Sequence, residues 1–367
     1  MVFHAFPLNS LMAKLISSIT KLLVGELNKN IPCVNLLILR ILRNIEKSYG
    51  AIDIIHSHYF TTSIAPILYR KIYDGRTRLI FHYHNKPKSN RINVWVAKKY
   101  DLSLAVSNFI KDSIIRNLGI EESRVKVVYN GVDTTIFKPC EELQEKICKK
   151  FRINDEDVVV MYVGRIVPEK GLSHVIIALH YLINKYRKKV KLLVVGPKGH
   201  FDIKEDKYFK YVEMLVSKLG LRDNVLYVGE REHKSLAEFY NAADIVVVPS
   251  LCEEAFGMVA IEAMACEKPV VTYDTGALPE IVENEKTGIV VERNDIELLA
   301  KALLELIEDK TLRILSLLAS PEALEWGFTL PSTRLCKLHG SVTLILTPRV
   351  TIYGLRGSPG AVIGQSS

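Results

Sequence analysis

Ile245-Val246-Val247-Val248-Pro249-Ser250-Leu251-Cys252-Glu253-Glu254-Ala255-Phe256-Gly257-Met258-Val259-Ala260-Ile261-Glu262 is the stretch on which the reading turns. Its first four residues are apolar and β-rich and read as a buried strand, which Pro249 and Ser250 end. A short loop with two acids follows, and a helix is expected to begin near Phe256. A strand that hands over to a helix is half of a parallel βαβ unit, and open sheets of such units bind ligands beyond the carboxyl ends of their strands. The amides of Phe256, Gly257, Met258 and Val259 would have no intrahelical partner, so together with the helix dipole they would attract a phosphate. Gly257 lets the backbone approach a ligand without a side chain in the way. Glu254 precedes the helix and Glu262 lies about two turns into it, so both can face one crevice, where carboxylates accept hydrogen bonds from hydroxyls. Taken alone, Glu254 could instead complement the helix dipole, and Glu262 could be an ordinary helix-surface acid.

Working outward, the same alternation of short β-rich runs and helical stretches recurs from Ile52 onward, which is the pattern of parallel α/β architecture. In the first part the expected strands are Ile52 to His56, Leu79 to Tyr83, Leu102 to Val106 and Val125 to Tyr129, with a helix from Asn35 to Lys47 before them. In the second they are Val158 to Val163, Val190 to Val195, Val225 to Val228, Ile245 to Val248, Pro269 to Tyr273 and Gly288 to Val291. Asn130 to Pro139, with its Gly, Asp and Pro, reads as a hinge. The expected organisation is two Rossmann-like, doubly wound domains, residues 1–140 and 141–311, with an atypical tail at 312–367. In that tail Ser, Thr, Gly and Pro accumulate and the α/β period stops, as in a flexible tail or after a shift of reading frame.

A length of 367 residues exceeds what one core usually holds, in agreement with two domains. Apolar residues at 48% and charged residues at 25% are globular values, and no apolar run reaches the roughly 18 residues of a membrane span. The six cysteines show no paired spacing that suggests zinc or a redox couple, which favours a reduced, cytoplasmic setting. Leu11, Leu15, Ile16, Ile19, Leu22 and Leu23 recur at helical spacing. That face reads as core-directed, with a peripheral membrane contact as the alternative. The net charge of +8 suits several anionic partners, but no nucleic-acid motif accompanies it.

A second chemical segment, Gly164-Arg165-Ile166-Val167-Pro168-Glu169-Lys170-Gly171, follows the strand at Val158, again at a strand-to-helix handover. Arg165 offers a planar fork and Lys170 a mobile point charge, a pairing that suits a diphosphate. Read in isolation, the two are surface cations. Asp155-Glu156-Asp157 lies before a strand and reads as an acidic turn, not a metal motif.

Glu254-x7-Glu262, set within Glu-Ala-Phe-Gly-Met-x3-Glu-Ala-Met-Ala-Cys, resembles the signature of glycosyltransferase family 4, the retaining group 1 enzymes of GT-B fold. The Gly164 to Gly171 loop is similar to that family's diphosphate loop, and Val128-Tyr129-Asn130-Gly131-Val132-Asp133, with Phe137 and Pro139, resembles its interdomain segment. The resemblance covers about residues 50 to 310. It implies two Rossmann-like domains facing a central cleft, and transfer of a hexose from a nucleotide-sugar donor to a glycan or lipid-linked acceptor with retention, without a metal or other cofactor. It implies that Arg165 and Lys170 bind the diphosphate beside Gly164, that Glu262 holds the ribose, and that Glu254 holds the hexose with the amides of Phe256, Gly257, Met258 and Val259. The loop reaching Arg231 would pass near the base. Asp53-Ile54-Ile55-His56-Ser57-His58 and Phe81-His82-Tyr83-His84-Asn85 resemble two histidine segments of the family. The second assigns His84 to the donor sugar and leaves His58 and His82 as structural residues.

The chain departs from the family in three places. Met1 to Pro7 resembles the family's second strand, so the opening strand and glycine-rich loop are expected to be missing and a sheet edge to be exposed. Residues 312–367 show no version of the closing helix, and Glu267 stands where the family usually has glycine. An inactive nucleotide-sugar-binding protein is therefore the alternative to an active enzyme.

Overall fold

The computed structural model describes residues 31–198 and 206–309, and the backbone of two strands within 343–355. The helical face expected at Leu11 to Leu23, and the opening at Met1 to Pro7, lie outside the described residues. By its internal contacts the chain divides into two compact units, Met1–Val128 with Leu330–Ser367, and Tyr129–Thr329.

The first unit runs α1 (Ile31–Tyr49), β1 (Ile52–Ser57), α2 (Ile64–Ile72), β2 (Arg78–Tyr83), α3 (Arg91–Lys99), β3 (Leu102–Ala105), α4 (Asn108–Leu118) and β4 (Val125–Val127). Side-chain oxygens start two of these helices: Asn90 accepts from the Asn93 amide at 2.8 Å and Ser107 from the Ile110 amide at 3.1 Å. Strands β1 to β4 pair in parallel in chain order. Ile55, Leu79, Phe81, Val96, Ile110 and Ile114 form the core, each at most 1% exposed. Burying each such side chain contributes about 1.5–3 kcal/mol, so the packed sheet faces outweigh any local propensity.

The edge expected to stand open is paired. Strands β11 (Thr343–Leu346) and β12 (Val350–Leu355) form an antiparallel hairpin, and β12 lies antiparallel to β1 with Ile52 opposite Leu355 and Ser57 opposite Val350. A sheet edge presents a row of unpaired amides and carbonyls, and a strand from elsewhere in the chain satisfies them as well as a parallel neighbour would.

The second unit runs α5 (Glu141–Phe151), β5 (Val158–Val163), α6 (Leu172–His180), β6 (Val190–Val195), α7 (Asp206–Lys218), β7 (Val225–Gly229), α8 (Leu236–Ala242), β8 (Ile245–Val248), α9 (Met258–Ala265), β9 (Val270–Tyr273), α10 (Leu278–Ile281), β10 (Gly288–Val291) and α11 (Ile296–Glu308). Its sheet is wholly parallel, in the order β10-β9-β8-β5-β6-β7. Each residue of β8 and β9 is buried, as a strand with both faces covered requires. The order reverses direction between β5 and β8: the chain steps outward from β5 through β6 and β7, then returns to β8 on β5's other side. The carboxyl ends of strands at such a switch point form a crevice, which is where ligands bind in open sheets of this kind.

The ten strands expected between Ile52 and Val291 all form, most of them within a residue of the expected bounds. The largest shortfall is β4, which ends at Val127; the residues through Asp133 form no regular structure and the chain turns only at Thr134 to Ile136. The helix expected from Asn35 to Lys47 is longer, Ile31–Tyr49.

Candidate functional site

Two loops meet at the switch point. After β5 the chain turns at Gly164, where the Tyr162 hydroxyl donates to the Arg165 carbonyl at 2.8 Å and fixes the turn. The loop ends at Gly171, in the left-handed region with φ of 71°, and a β-carbon there would lie 2.0 Å from the Pro249 carbonyl oxygen. The loop after β8 thus passes too close for any side chain at that position. The Leu251 amide donates to the Glu169 carbonyl at 2.8 Å, a second tie between the loops.

This contact brings the two charged sets together. Lys170 Nζ donates to Glu254 Oε1, and the Ser250 hydroxyl donates to the same oxygen. About a fifth to a quarter of each side chain of the Lys170–Glu254 pair is exposed, so the pair is open to a ligand yet partly desolvated. Arg165 lies at the start of the same loop, half-exposed, with Nη2 4.0 Å from Glu169 Oε1. Helix α9 starts at Met258 rather than Phe256, with Gly257 as its N-cap at φ of 123°. The Ala260 and Ile261 amides already bond the Gly257 carbonyl, so the amides that precede the first intrahelical bond are those of Gly257, Met258 and Val259. Phe256 is buried, its ring 6.0 Å from that of Tyr129.

Glu262 is not a helix-surface acid. It is 3% exposed and each carboxylate oxygen is held: Oε1 lies 2.7 Å from His233 Nε2, and Oε2 accepts from the Tyr240 hydroxyl at 2.8 Å. A buried carboxylate without such partners would be costly, which is why it is held from both sides. Burial first, and the Glu262 charge second, hold the Tyr240 phenol well above its ordinary pKa, so it remains a donor. Phe137, fully buried, packs against both partners, 5.1 Å from the His233 ring and 5.8 Å edge-on to Tyr240. Asn241 ties the preceding segment down, accepting from the Cys140 amide at 2.7 Å and donating to the Lys138 carbonyl at 2.9 Å. Arg231, after β7, is exposed and donates to the Glu230 carbonyl at 3.3 Å.

In the first unit, His84 directly follows β2 and its Nε2 lies 2.8 Å from His58 Nδ1, so one ring donates and the other accepts. Burial lowers the His84 pKa and keeps the ring neutral. The same desolvation, reinforced by neighbouring imidazoles, brings His56 to about 3 and His58 to about 4 and lowers His82 as well. The acidic turn at Asp155 to Asp157 is a turn, with Glu156 paired to Lys189.

The structure thus joins Lys170 to Glu254, with Arg165 on the same loop as Lys170 and α9 following Glu254 in the chain, and surrounds Glu262 with partners that sequence reasoning did not supply. Ser250, His233 and Tyr240 carry no local signal. The last two meet Glu262 across 29 and 22 residues of chain, and only the fold brings them there.

Among the described residues no helix is long and apolar enough to cross a membrane. Residues 144–315 match the family model for glycosyl transferases group 1, and residues 19–136 match that for glycosyltransferase family 4. An uncharacterized glycosyltransferase of Methanocaldococcus jannaschii is 33% identical over 51% of this chain, which spans only 46% of that protein's length. The alpha-maltose-1-phosphate synthase of Mycolicibacterium smegmatis is 30% identical over 77% of this chain and 74% of its own. Among solved structures, Anabaena HepE in complex with UDP superposes with a TM-score of 0.70 at 25% identity, over 79% of this chain and 77% of its own; HepE has also been solved with UDP-glucose. With two Rossmann-like α/β units, strands β1 to β4 and β5 to β10 parallel within each, and both family models matched in order, the chain belongs to the group 1 glycosyltransferases.

Proposed function

We propose that this chain transfers a hexose from a nucleotide-sugar donor to a glycan or lipid-linked acceptor, with retention of configuration. The observation that supports the reading is the meeting of the β5 and β8 loops at the switch point, where Lys170 donates to Glu254 and the Leu251 amide to the Glu169 carbonyl, shortly before α9 begins.

The bond to the leaving nucleotide breaks with negative charge gathering on its diphosphate. Arg165, Lys170 and the amides of Gly257, Met258 and Val259 are the groups that stabilise that charge, and they act in a partly desolvated setting where each is stronger than in water. The loop at Gly164 admits the diphosphate to the backbone. Glu262 keeps lone pairs beyond those used by His233 and Tyr240, so it can accept from both ribose hydroxyls. Glu254 accepts from hexose hydroxyls once Lys170 turns to phosphate, Arg231 serves the base, and His84 donates to the sugar. These cations and amides supply the positive charge for departure, so the reading calls for no metal.

The test is a transfer assay with UDP-glucose and a panel of glycan and lipid-linked acceptors, with the anomeric configuration of the product read by NMR. Transfer with an α-linked product, lowered about 10²–10³-fold in Lys170→Ala, is the expected result. Binding without transfer or donor hydrolysis would instead establish a nucleotide-sugar-binding protein, and a β-linked product would overturn the retaining step.

A further inference from the structure

Three imidazoles of the first unit, those of His56, His58 and His82, form a cluster beside His84 to which the transfer reaction assigns no role. His56 lies in β1 with His58 one residue past its end, and His82 lies in β2 with His84 one residue past its end, so the period of two carries each pair to one side. The parallel register sets His56 opposite Ile80 and Ser57 opposite Phe81, which brings all four rings to the same face of the sheet. His56 and His82 stack at 5.4 Å between ring centroids, and His56 and His58 lie 4.4 Å apart. His56 is buried, and His82 Nε2 is shielded from solvent with no hydrogen-bond partner among the described residues. A buried polar atom without a partner is costly and calls for a ligand. One nitrogen from each of His56, His58 and His82 lies within 4.8 Å of the other two.

We propose that His56, His58 and His82 form a binding site for a borderline divalent transition metal of the zinc class. Donors on one tetrahedral ion sit about 3.3 Å apart, so each nitrogen has to move inward by about 0.9 Å, within reach of side-chain rotation. Three imidazoles and no carboxylate select zinc, cobalt, nickel or copper over magnesium and calcium. His58 Nδ1 lies 2.8 Å from His84 Nε2, so in the proposed site His58 ligates through Nε2. Binding there makes Nδ1–H the donor to His84, the outer contact that typically orients a ligating histidine. The metal stays outside the bond-breaking chemistry and fixes the tautomer of the His58–His84 pair.

The test uses the full chain without a polyhistidine tag. Titration with Co2+ should give one equivalent of a complex with tetrahedral ligand-field absorption that Zn2+ displaces and Mg2+ does not. X-ray absorption of the zinc-loaded wild-type protein should show imidazole nitrogens at about 2.0–2.1 Å. His56→Asn and His82→Asn should each weaken Zn2+ at least tenfold, while His180→Asn, on α6, should leave it unchanged. The proposal is overturned if the wild-type protein takes up no Co2+ or shows an oxygen-only shell. It is also overturned if folded His56→Asn and His82→Asn bind as the parent does. Should both variants fail to fold, the wild-type absorption spectrum decides alone.

Discussion

Gly276→Ala tests whether the loop geometry, and not only the charged residues, makes the site. Gly276 has φ of 60°, and a β-carbon there would lie 2.2 Å from the carbonyl oxygen and 2.5 Å from the nitrogen of Glu254. Ordinary contacts need about 3.5 Å, so the Glu254 backbone has to retreat by more than about 1 Å. That retreat strains the 2.8 Å bond from the Ala277 amide to the Glu254 carbonyl and draws the carboxylate away from Lys170 and Ser250. The left-handed backbone costs about 1–2 kcal/mol for alanine, and the overpacking about 1–3 kcal/mol more. At about 2–4 °C per kcal/mol for a unit of this size, the melting temperature should fall by roughly 4–20 °C. A misplacement of about 1 Å costs on the order of 10²-fold in rate, so turnover should fall further than stability alone explains. Scanning calorimetry and a donor-turnover assay, run below the variant's melting range, read the two effects separately. Gly75→Ala, with nothing within 4 Å of its added carbon, is the control and should be silent. A Gly276→Ala protein that melts within 1 °C of the parent and turns over UDP-glucose at the parent rate would refute the reasoning.

Three further outcomes are expected. Glu267→Gly should raise the melting temperature by about 1–4 °C. Glu267 is exposed at φ of 55° in a Schellman cap, with Lys268 N–H to the Ala263 carbonyl and its own N–H to Met264, a position that favours glycine by about 0.5–1 kcal/mol net. An unchanged or lower value would contradict the strain. Tyr240→Phe withdraws one donor from buried Glu262 and should cost about 1–3 kcal/mol in calorimetry, with weaker donor binding by titration; a stability loss with unaltered donor affinity would separate Glu262 from the site. Thiol labelling at pH 8 should modify exposed Cys33 rapidly and leave Cys266 untouched until unfolding, because burial pushes the Cys266 thiol up to about 12 and keeps it protonated; mass spectrometry showing early Cys266 adducts would contradict this.

The fold was legible because parallel α/β units announce themselves locally: β8 is four consecutive apolar residues, and the loop after it changes character within two. The charged ends of the site were legible for the same reason, since Arg165, Lys170 and Glu254 stand at strand-to-helix handovers. What stayed hidden is what long-range pairing decides. Nothing near Glu262 in sequence indicates that Tyr240 and His233 will hold its two oxygens, and an acid about one turn into a helix looks like a surface residue until its buried partners are known. The pairing of β12 with β1 was equally invisible, because a strand that completes an edge needs only free backbone groups opposite it and no motif. The start of α9 shifted by two residues because Gly257 adopts a conformation that propensity alone does not reveal.

The most direct test of the central claim is calorimetric titration of the folded chain with UDP-glucose, beside Arg165→Ala and Glu262→Ala. Binding in the parent, weakened at least tenfold in each variant, is the predicted result, each loss corresponding to at least about 1.4 kcal/mol. A folded parent that binds no sugar nucleotide, or variants that bind as tightly as the parent, would contradict the placement of the donor at the β5 and β8 loops.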